Sequence, residues 1–305
     1  MVANPSYSFK HAFVTGATGI VGVPLCRTLS ADGVQVTASS RSAGEYGLPE
    51  GVEHVSRDIL DLQGLDDAVG DSDVIFHVAA AVHGSAKSHA EFERMNVQGT
   101  KNVIQVAERN GAKLVHVSSV NVEGFRTGEL QDSYASTKSR AEELVIEAAN
   151  DGLDAVIVRP ATVFGNESGR AGLLVDRLLK GTLKVLPAPS RKISPVWSVD
   201  LATALVRAAR IGQTGQTYTV AGPTFSTGDF VDAVCRSAGL KGPLVSIPGW
   251  IFAVPLQLAW WCRPVTRWIP PVSVESLRTR SSHDGAGAAR ELGFEYSTIE
   301  EIFGR

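Results

Sequence analysis

The sequence predicts an α/β fold, a doubly wound parallel sheet, and three observations carry that expectation. Short apolar runs alternate with stretches of helical periodicity from residue 11 onward. Glycines cluster where the first run ends, at Gly16, Gly19 and Gly22. Small and hydroxyl residues stand at the ends of later runs, as in Ala79-Ala80 and Ser118-Ser119. The carboxyl ends of parallel strands are where an open α/β sheet builds its site. At 305 residues and 44% hydrophobic, the chain can bury a large core as one big or two unequal domains.

The first strand is His11–Thr15, followed by Gly16-Ala17-Thr18-Gly19-Ile20-Val21-Gly22 and a helix through Leu29. Such a turn needs glycine for tightness, for close backbone approach to a pyrophosphate and for packing of helix on strand. The helix N-terminus then offers N–H donors and a positive dipole to phosphate. Gly16, Thr18, Gly19, Ile20 and Val21 are the cofactor-binding candidates here. A second strand, Val34–Ala38, leads to Ser40 and Arg41. An NAD-selective site usually places an acid there for the ribose 2′-hydroxyl. A hydroxyl and a guanidinium instead suit a 2′-phosphate, which favours NADP(H); Glu45 keeps NAD open.

Val52–Val55 is the third strand, closed by Asp58-Ile59, whose carboxylate can accept from an adenine amino group. The fourth, Asp73–His77, ends in Val78-Ala79-Ala80, small residues that leave room for a cofactor. His77 reads as a structural histidine, and His83 and His89 match no metal spacing. A long helix spans Ala90–Asn110 through Asn96. The fifth strand, Lys113–Val117, delivers Ser118 and Ser119. Tyr134 then stands four residues before Lys138, opening the periodic run Ala141, Leu144, Val145, Ala148, so both side chains share one helical face. A nearby cation favours the phenolate, and bringing a tyrosine from about 10 to about 7 takes roughly 4 kcal/mol.

Gly16-xx-Gly19-xx-Gly22, Asp58-Ile59, His77-x-Ala-Ala80, Asn96-Val-x-Gly-Thr100, Ser119, Tyr134-xxx-Lys138 and Arg159-Pro-xx-Val-Phe-Gly165 occur in this order. Together they resemble the extended short-chain dehydrogenases/reductases over about residues 10–222. The resemblance implies a Rossmann-type nucleotide-binding domain over 1–165 and a mainly substrate-binding region over 166–305. Tyr134 is implied as general acid/base, Lys138 as the group that lowers its pKa and holds the nicotinamide ribose, and Ser119 as the donor to the reacting carbonyl. Asn96 is implied either in a proton relay or in a helix kink. Ala79, Ala80, Pro160 and Val163 are implied along the cofactor. A homodimer through the Ala90–Asn110 and Ser133–Asn150 helices also follows from the resemblance.

Val120-Asn121 after the serine replaces the acid pair of the nucleotide-sugar dehydratases, and only 15 residues separate Ser119 from Tyr134. Both features point away from sugar-nucleotide chemistry, and Arg191 reads as solvated. An apolar segment over 248–268 carries Trp250, Trp260, Trp261 and Trp268, and can be core, lid or membrane-surface contact. The pattern is similar to the 3β-hydroxysteroid dehydrogenase and dihydroflavonol reductase branch, which implies hydride transfer on an apolar ketone or secondary alcohol. A nucleotide-sugar epimerase and a non-catalytic nucleotide sensor are the alternatives. A net charge of −3 argues against nucleic acid partners, and no segment reaches transmembrane length. Three widely spaced cysteines, Cys26, Cys235 and Cys262, and a polar N-terminus suit a cytoplasmic protein with no metal centre.

Overall fold

The structure, a computed structural model, describes residues 7–41, 47–82, 85–86, 88–165, 173–243, 245–247 and 282–304. Glu45, His83, Cys262 and the tryptophan-rich segment 248–268 lie outside the described residues.

The first half alternates strand and helix: β1 (His11–Thr15), α1 (Gly22–Ala31), β2 (Gln35–Ser40), β3 (Glu53–Ser56), α2 (Leu62–Val69) and β4 (Val74–His77). It continues through α3 (His89–Phe92), α4 (Gly99–Asn110), β5 (Lys113–Val117), α5 (Asn121–Arg126), α6 (Ser133–Asn150) and β6 (Ala155–Pro160). Beyond it come β7 (Val163–Phe164), α7 (Leu173–Leu179), β8 (Val185–Pro187), β9 (Lys192–Ile193), β10 (Val196–Trp197) and α8 (Ser198–Ile211). The rest is β11 (Thr217–Val220), β12 (Phe225–Ser226), α9 (Thr227–Ala238), β13 (Val245–Ile247), α10 (Ala286–Leu292) and α11 (Ile299–Phe303).

Seven strands form one parallel sheet in the order β11-β6-β5-β4-β1-β2-β3. Alternation along each strand loads both faces. Ala12 and Val14 pack with α1 and α8, whereas Phe13 packs with α2, α4 and α6. The chain reverses direction of travel between β1 and β4, and that switch point opens a crevice at the carboxyl ends. Residues after 165 go to two places. Strand β11 and helix α8 return to the sheet, while α7, α9 and α11 surround a separate core of Phe164, Val175, Leu178, Phe230, Val231 and Ile299.

The expected helix Ala90–Asn110 is present with one difference. Glu93–Gln98 is a π-helical turn between α3 and α4. Asn96 explains it. Its side chain accepts from the Ala81 N–H at 2.7 Å and donates to the Ala81 carbonyl and the Thr137 hydroxyl, while Thr100 Oγ1 donates to the Asn96 carbonyl at 2.6 Å. The Thr100 hydroxyl satisfies a carbonyl of the wide turn, and the Asn96 side chain ties the turn to its neighbours. Strand β2 also runs to Ser40 rather than stopping at Ala38.

Two histidines lie buried side by side under the sheet's carboxyl edge, with ring centroids 5.4 Å apart. His77 is bonded at both nitrogens, to Thr15 Oγ1 at 2.9 Å and Thr100 Oγ1 at 3.0 Å. Thr100 gives its proton to Asn96, so it can only accept from His77, which fixes the proton on Nε2. His116 has no hydrogen-bond partner among the described residues. Burial pushes the His77 pKa down to about 3 and that of His116 well below its ordinary value. Both are therefore neutral in the fold, and below about pH 6.5 the unfolded chain binds more protons than the folded one. Stability is thus present above pH 6.5 and is lost as pH falls toward 3. Thermal unfolding across that window should show a falling midpoint. In His116→Leu the slope should shrink by up to about 1.4 kcal/mol per pH unit.

Candidate active site

The turn after β1 is as tight as its glycines demand. Gly16 has φ +67°, and a Cβ there would lie 2.7 Å from the Ala79 nitrogen, so the turn packs directly on the chain leaving β4. A Cβ on Gly22 would strike the Gly16 carbonyl and Ala17, which sets α1 against the turn. Helix α1 has neither a side-chain cap nor an acid in its first turn, whereas α2, α6 and α9 are capped by Asp61, Asp132 and Ser226. Its leading N–H groups suit phosphate oxygens. Thr18, Gly19 and Ile20 stay partly exposed beside it, while the Val21 side chain is buried, leaving its backbone as the group available to a ligand. Ala79 and Ala80 are partly exposed across the crevice. These features fit a dinucleotide.

At the far end of the crevice's first turn, Ser40 closes β2 with its hydroxyl 2.8 Å from His54 Nε2, and Arg41 follows, exposed. Asp58 is exposed and uses Oδ1 to accept from the Leu60 N–H. Ile59, the other residue expected along the cofactor here, is buried against Gly99, and its carbonyl accepts from Asn102 at 2.9 Å, so its side chain wedges α4 in place. Pro160 is buried at the end of β6, and Val163 is half-buried on β7.

Ser119, Tyr134 and Lys138 converge at the carboxyl end of β5. Asp132 caps α6 by accepting from Ala135 N at 2.7 Å, which starts the helix so that Tyr134 and Lys138 share a face. Tyr134 is hydrogen-bonded to Ser119, and its ring meets Phe92 edge-on at 6.4 Å. Ser119 Oγ accepts from the Asn121 N–H, which leaves its hydroxyl proton for another oxygen. Ser118 is committed elsewhere, donating to Glu142 at 2.6 Å, and this separates the roles of the two adjacent serines.

Burial raises the Tyr134 pKa, with the Ser119 bond acting in the opposite direction. The Lys138 ammonium donates to the Val117 carbonyl at 2.7 Å, and burial brings its own pKa down to about 8. Asn96 is likewise occupied in bridging the Ala81 segment to α6.

The sequence reading passes over a buried ion cluster beside these groups. Glu142, four residues after Lys138, is fully buried and accepts from Ser118 and from Arg159 Nε and Nη2 at 2.8 and 2.5 Å; Arg126 approaches at 3.1 Å. Those cations hold its carboxyl below the usual range despite burial. Arg159 also reaches Glu123 at 3.2 Å, and His283 lies 3.7 Å from that same carboxylate. The available signal is the i,i+4 step from Lys138 to Glu142, followed by an arginine at the end of β6. Arg191, expected to be solvated, is only partly exposed, and burial lowers its pKa. Asp200 accepts from the Ser297 N–H and hydroxyl, a structural tie.

A cavity of about 990 Å³ lies beyond β11, lined by Ala221, Thr224, His283, Asp284, Arg290 and Tyr296 among others. None of Ser119, Tyr134 and Lys138 lines it, but Ala221 packs with Val120 and Ala161 at the strand ends. Among the described residues there is no metal-binding cluster, and no helix is long and apolar enough to cross a membrane.

A seven-stranded parallel sheet with a glycine turn at its switch point is a Rossmann-type dinucleotide-binding architecture. The profile described as "NAD dependent epimerase/dehydratase family" matches residues 12–221. A farnesyl-dihydroquinoline-oxide ketoreductase of Stigmatella aurantiaca is 27% identical over 255 residues, covering 78% of this chain and 76% of that protein. Sterol demethylase protein B of Methylococcus capsulatus is 28% identical, covering 95% of each chain. The solved structure of gox2253 superposes with a TM-score of 0.81 at 25% identity, covering 96% of both chains. The chain belongs to the NAD-dependent epimerase/dehydratase family and is an oxidoreductase of the extended short-chain dehydrogenase/reductase type.

The buried cluster gives a stability test. Glu142→Ala removes one partner of a buried pair and should cost about 3–5 kcal/mol. Glu123→Ala, at a half-exposed carboxylate, should cost less than about 1 kcal/mol. Urea unfolding midpoints compare the two.

Proposed function

We propose that the protein interconverts a ketone and a secondary alcohol on a mostly apolar small molecule, using NADP(H). The observation that carries this reading is the hydrogen bond between the Ser119 and Tyr134 side chains, at the start of the helix that also carries Lys138. NADP(H), when bound, supplies or takes up the hydride. Ser119 turns its hydroxyl proton to the substrate oxygen and orients the carbonyl. Tyr134 gives that oxygen a proton in reduction and takes it back in oxidation. Lys138 lies one helical turn further on and offers a cation to the phenolate and to the nicotinamide ribose. Asn96 holds the helix that carries both.

The glycine turn, Thr18, Ile20 and the backbone of Val21 hold the pyrophosphate. Ser40 and Arg41 hold the 2′-phosphate, Asp58 the adenine, and Ala79, Ala80, Pro160 and Val163 line the remaining path. The ketoreductase named among the relatives supports the reaction class, and its farnesyl-bearing substrate supports an apolar one. A homodimer through α4 and α6, in the cytoplasm, completes the reading.

Tyr134→Phe should lower kcat by at least about a hundredfold while NADPH binding, followed by its fluorescence, stays within about twofold. Retained turnover would sink the assignment. Arg41→Ala should weaken NADPH about tenfold more than NADH. Equal effects on the two cofactors would remove the case for NADP. Net consumption of NADPH with a ketone separates this activity from epimerisation, which leaves no redox change.

A further inference from the structure

We propose that the substrate is an elongated, uncharged molecule whose ketone meets Ser119 and Tyr134 and whose body lies in the cavity beyond β11. The inference rests on the ketone reading above. Strands β5, β6 and β11 are successive parallel neighbours, so their carboxyl ends stand in a row. At about 4.8 Å per strand, Ala221 after β11 lies two spacings from Ser119 after β5, roughly 10 Å. The ground between them is apolar and continuous, because Val120, Ala161 and Ala221 pack together there. A second tie runs beside it. His283, in the cavity wall, comes within 3.7 Å of Glu123 in the first turn of α5, the helix that follows Ser119. The serine turn and the cavity are adjoining parts of one edge.

The lining of the cavity describes its occupant. A volume of about 990 Å³ is in the range of a binding cleft, and a small ketone held at Ser119 would touch none of its walls. Pro223, Ala286, Ala289 and Phe294 give it apolar surface, and the two alanines belong to α10. The Tyr296 ring meets Phe294 edge-on at 5.0 Å. Its hydroxyl accepts from the Ala221 N–H and donates to the Gly285 carbonyl, so the ring is what Tyr296 offers a ligand. At the rim, exposed Asp284 and Glu295 stand against exposed Arg290. An anionic tail would meet net negative charge there, whereas an uncharged one is accepted.

The experiment measures NADPH consumption with 2-hexanone, 2-undecanone and 10-oxoundecanoate on the full chain and on A286W and A289L. From 2-hexanone to 2-undecanone, kcat/KM should rise at least about thirtyfold, since each buried methylene is worth roughly fourfold, and the gain should appear in KM. Ala286 is exposed, so an indole there displaces solvent and not core. A286W should keep 2-hexanone turnover within about twofold and lose most of the gain with length. A289L narrows the same space and serves if A286W does not fold. The carboxylate of 10-oxoundecanoate should lower kcat/KM at least about tenfold below 2-undecanone. Apart from turnover, 2-undecanol should raise the thermal-unfolding midpoint of the wild-type chain and leave that of A286W unmoved. Equal kcat/KM for the two neutral ketones, a length dependence that survives in both variants, or a carboxylate tolerated as well as the neutral end would overturn the inference. Absence of turnover with every ketone would instead refute the ketone reading on which it rests.

Discussion

The clamp on the Glu142 carboxylate is the interaction on which the carboxyl end of the sheet depends. Three separate pieces of chain meet there: Ser118 from the end of β5, Arg126 from α5 and Arg159 from the end of β6. Glu142 itself belongs to α6, the helix that carries Tyr134 and Lys138. A single buried charge thus fixes the spacing between the serine turn and the tyrosine helix. Such a cluster is a weak source of net stability, because desolvation offsets most of the attraction. Its value lies in geometry, since any displacement of one member leaves a charge without its partner in a dry setting.

The opposite side of the crevice is fixed by absence of bulk rather than by charge. Gly16 and Gly22 bring the first turn into contact with Ala79 and with the start of α1. Thr15 Oγ1 accepts from Ala79 N and bonds His77, whose other nitrogen leads through Thr100 to the Asn96 carbonyl. The Asn96 side chain then reaches Thr137, the neighbour of Lys138. A continuous hydrogen-bonded path therefore runs from the glycine turn to the helix that carries Tyr134 and Lys138, beneath the floor of the crevice. Neutral, buried imidazoles make that path sensitive to acid, because protonation gives His77 a second donor where it now accepts.

Much of this was legible in the chain. The glycine spacing, the apolar strands and the i,i+4 pair Tyr134 and Lys138 depend on local periodicity, and local periodicity is what a sequence displays. The resemblance singled out Ser119, and the fold separates it from Ser118 by the bond from Ser118 to Glu142. Contacts between distant segments were not legible. Glu142 with Arg159, or His54 with Ser40, depend on strand register and helix orientation, neither of which leaves a mark at the residues concerned. The π-helical turn was half visible: the resemblance allowed Asn96 a helix kink, but the kind of turn follows only when Ala81 and Thr137 are brought alongside. Lys138 was placed correctly on its helix, yet its ammonium points to a carbonyl on β5 that only the fold could reveal.

That wide turn constrains how the chain can change over time. Each residue of an α-helix advances the side chains by about 100°, and the π turn holds one residue more than an α turn would. Helices α3 and α4 are therefore out of phase by that one step. Loss of a single residue between Glu93 and Gln98 would restore a smooth helix and rotate Gly99 away from Ile59 and Asn102 away from its carbonyl. Substitutions can drift through this segment one at a time, but its length is locked. Descendants of this chain should differ in the letters of the turn long before they differ in its count.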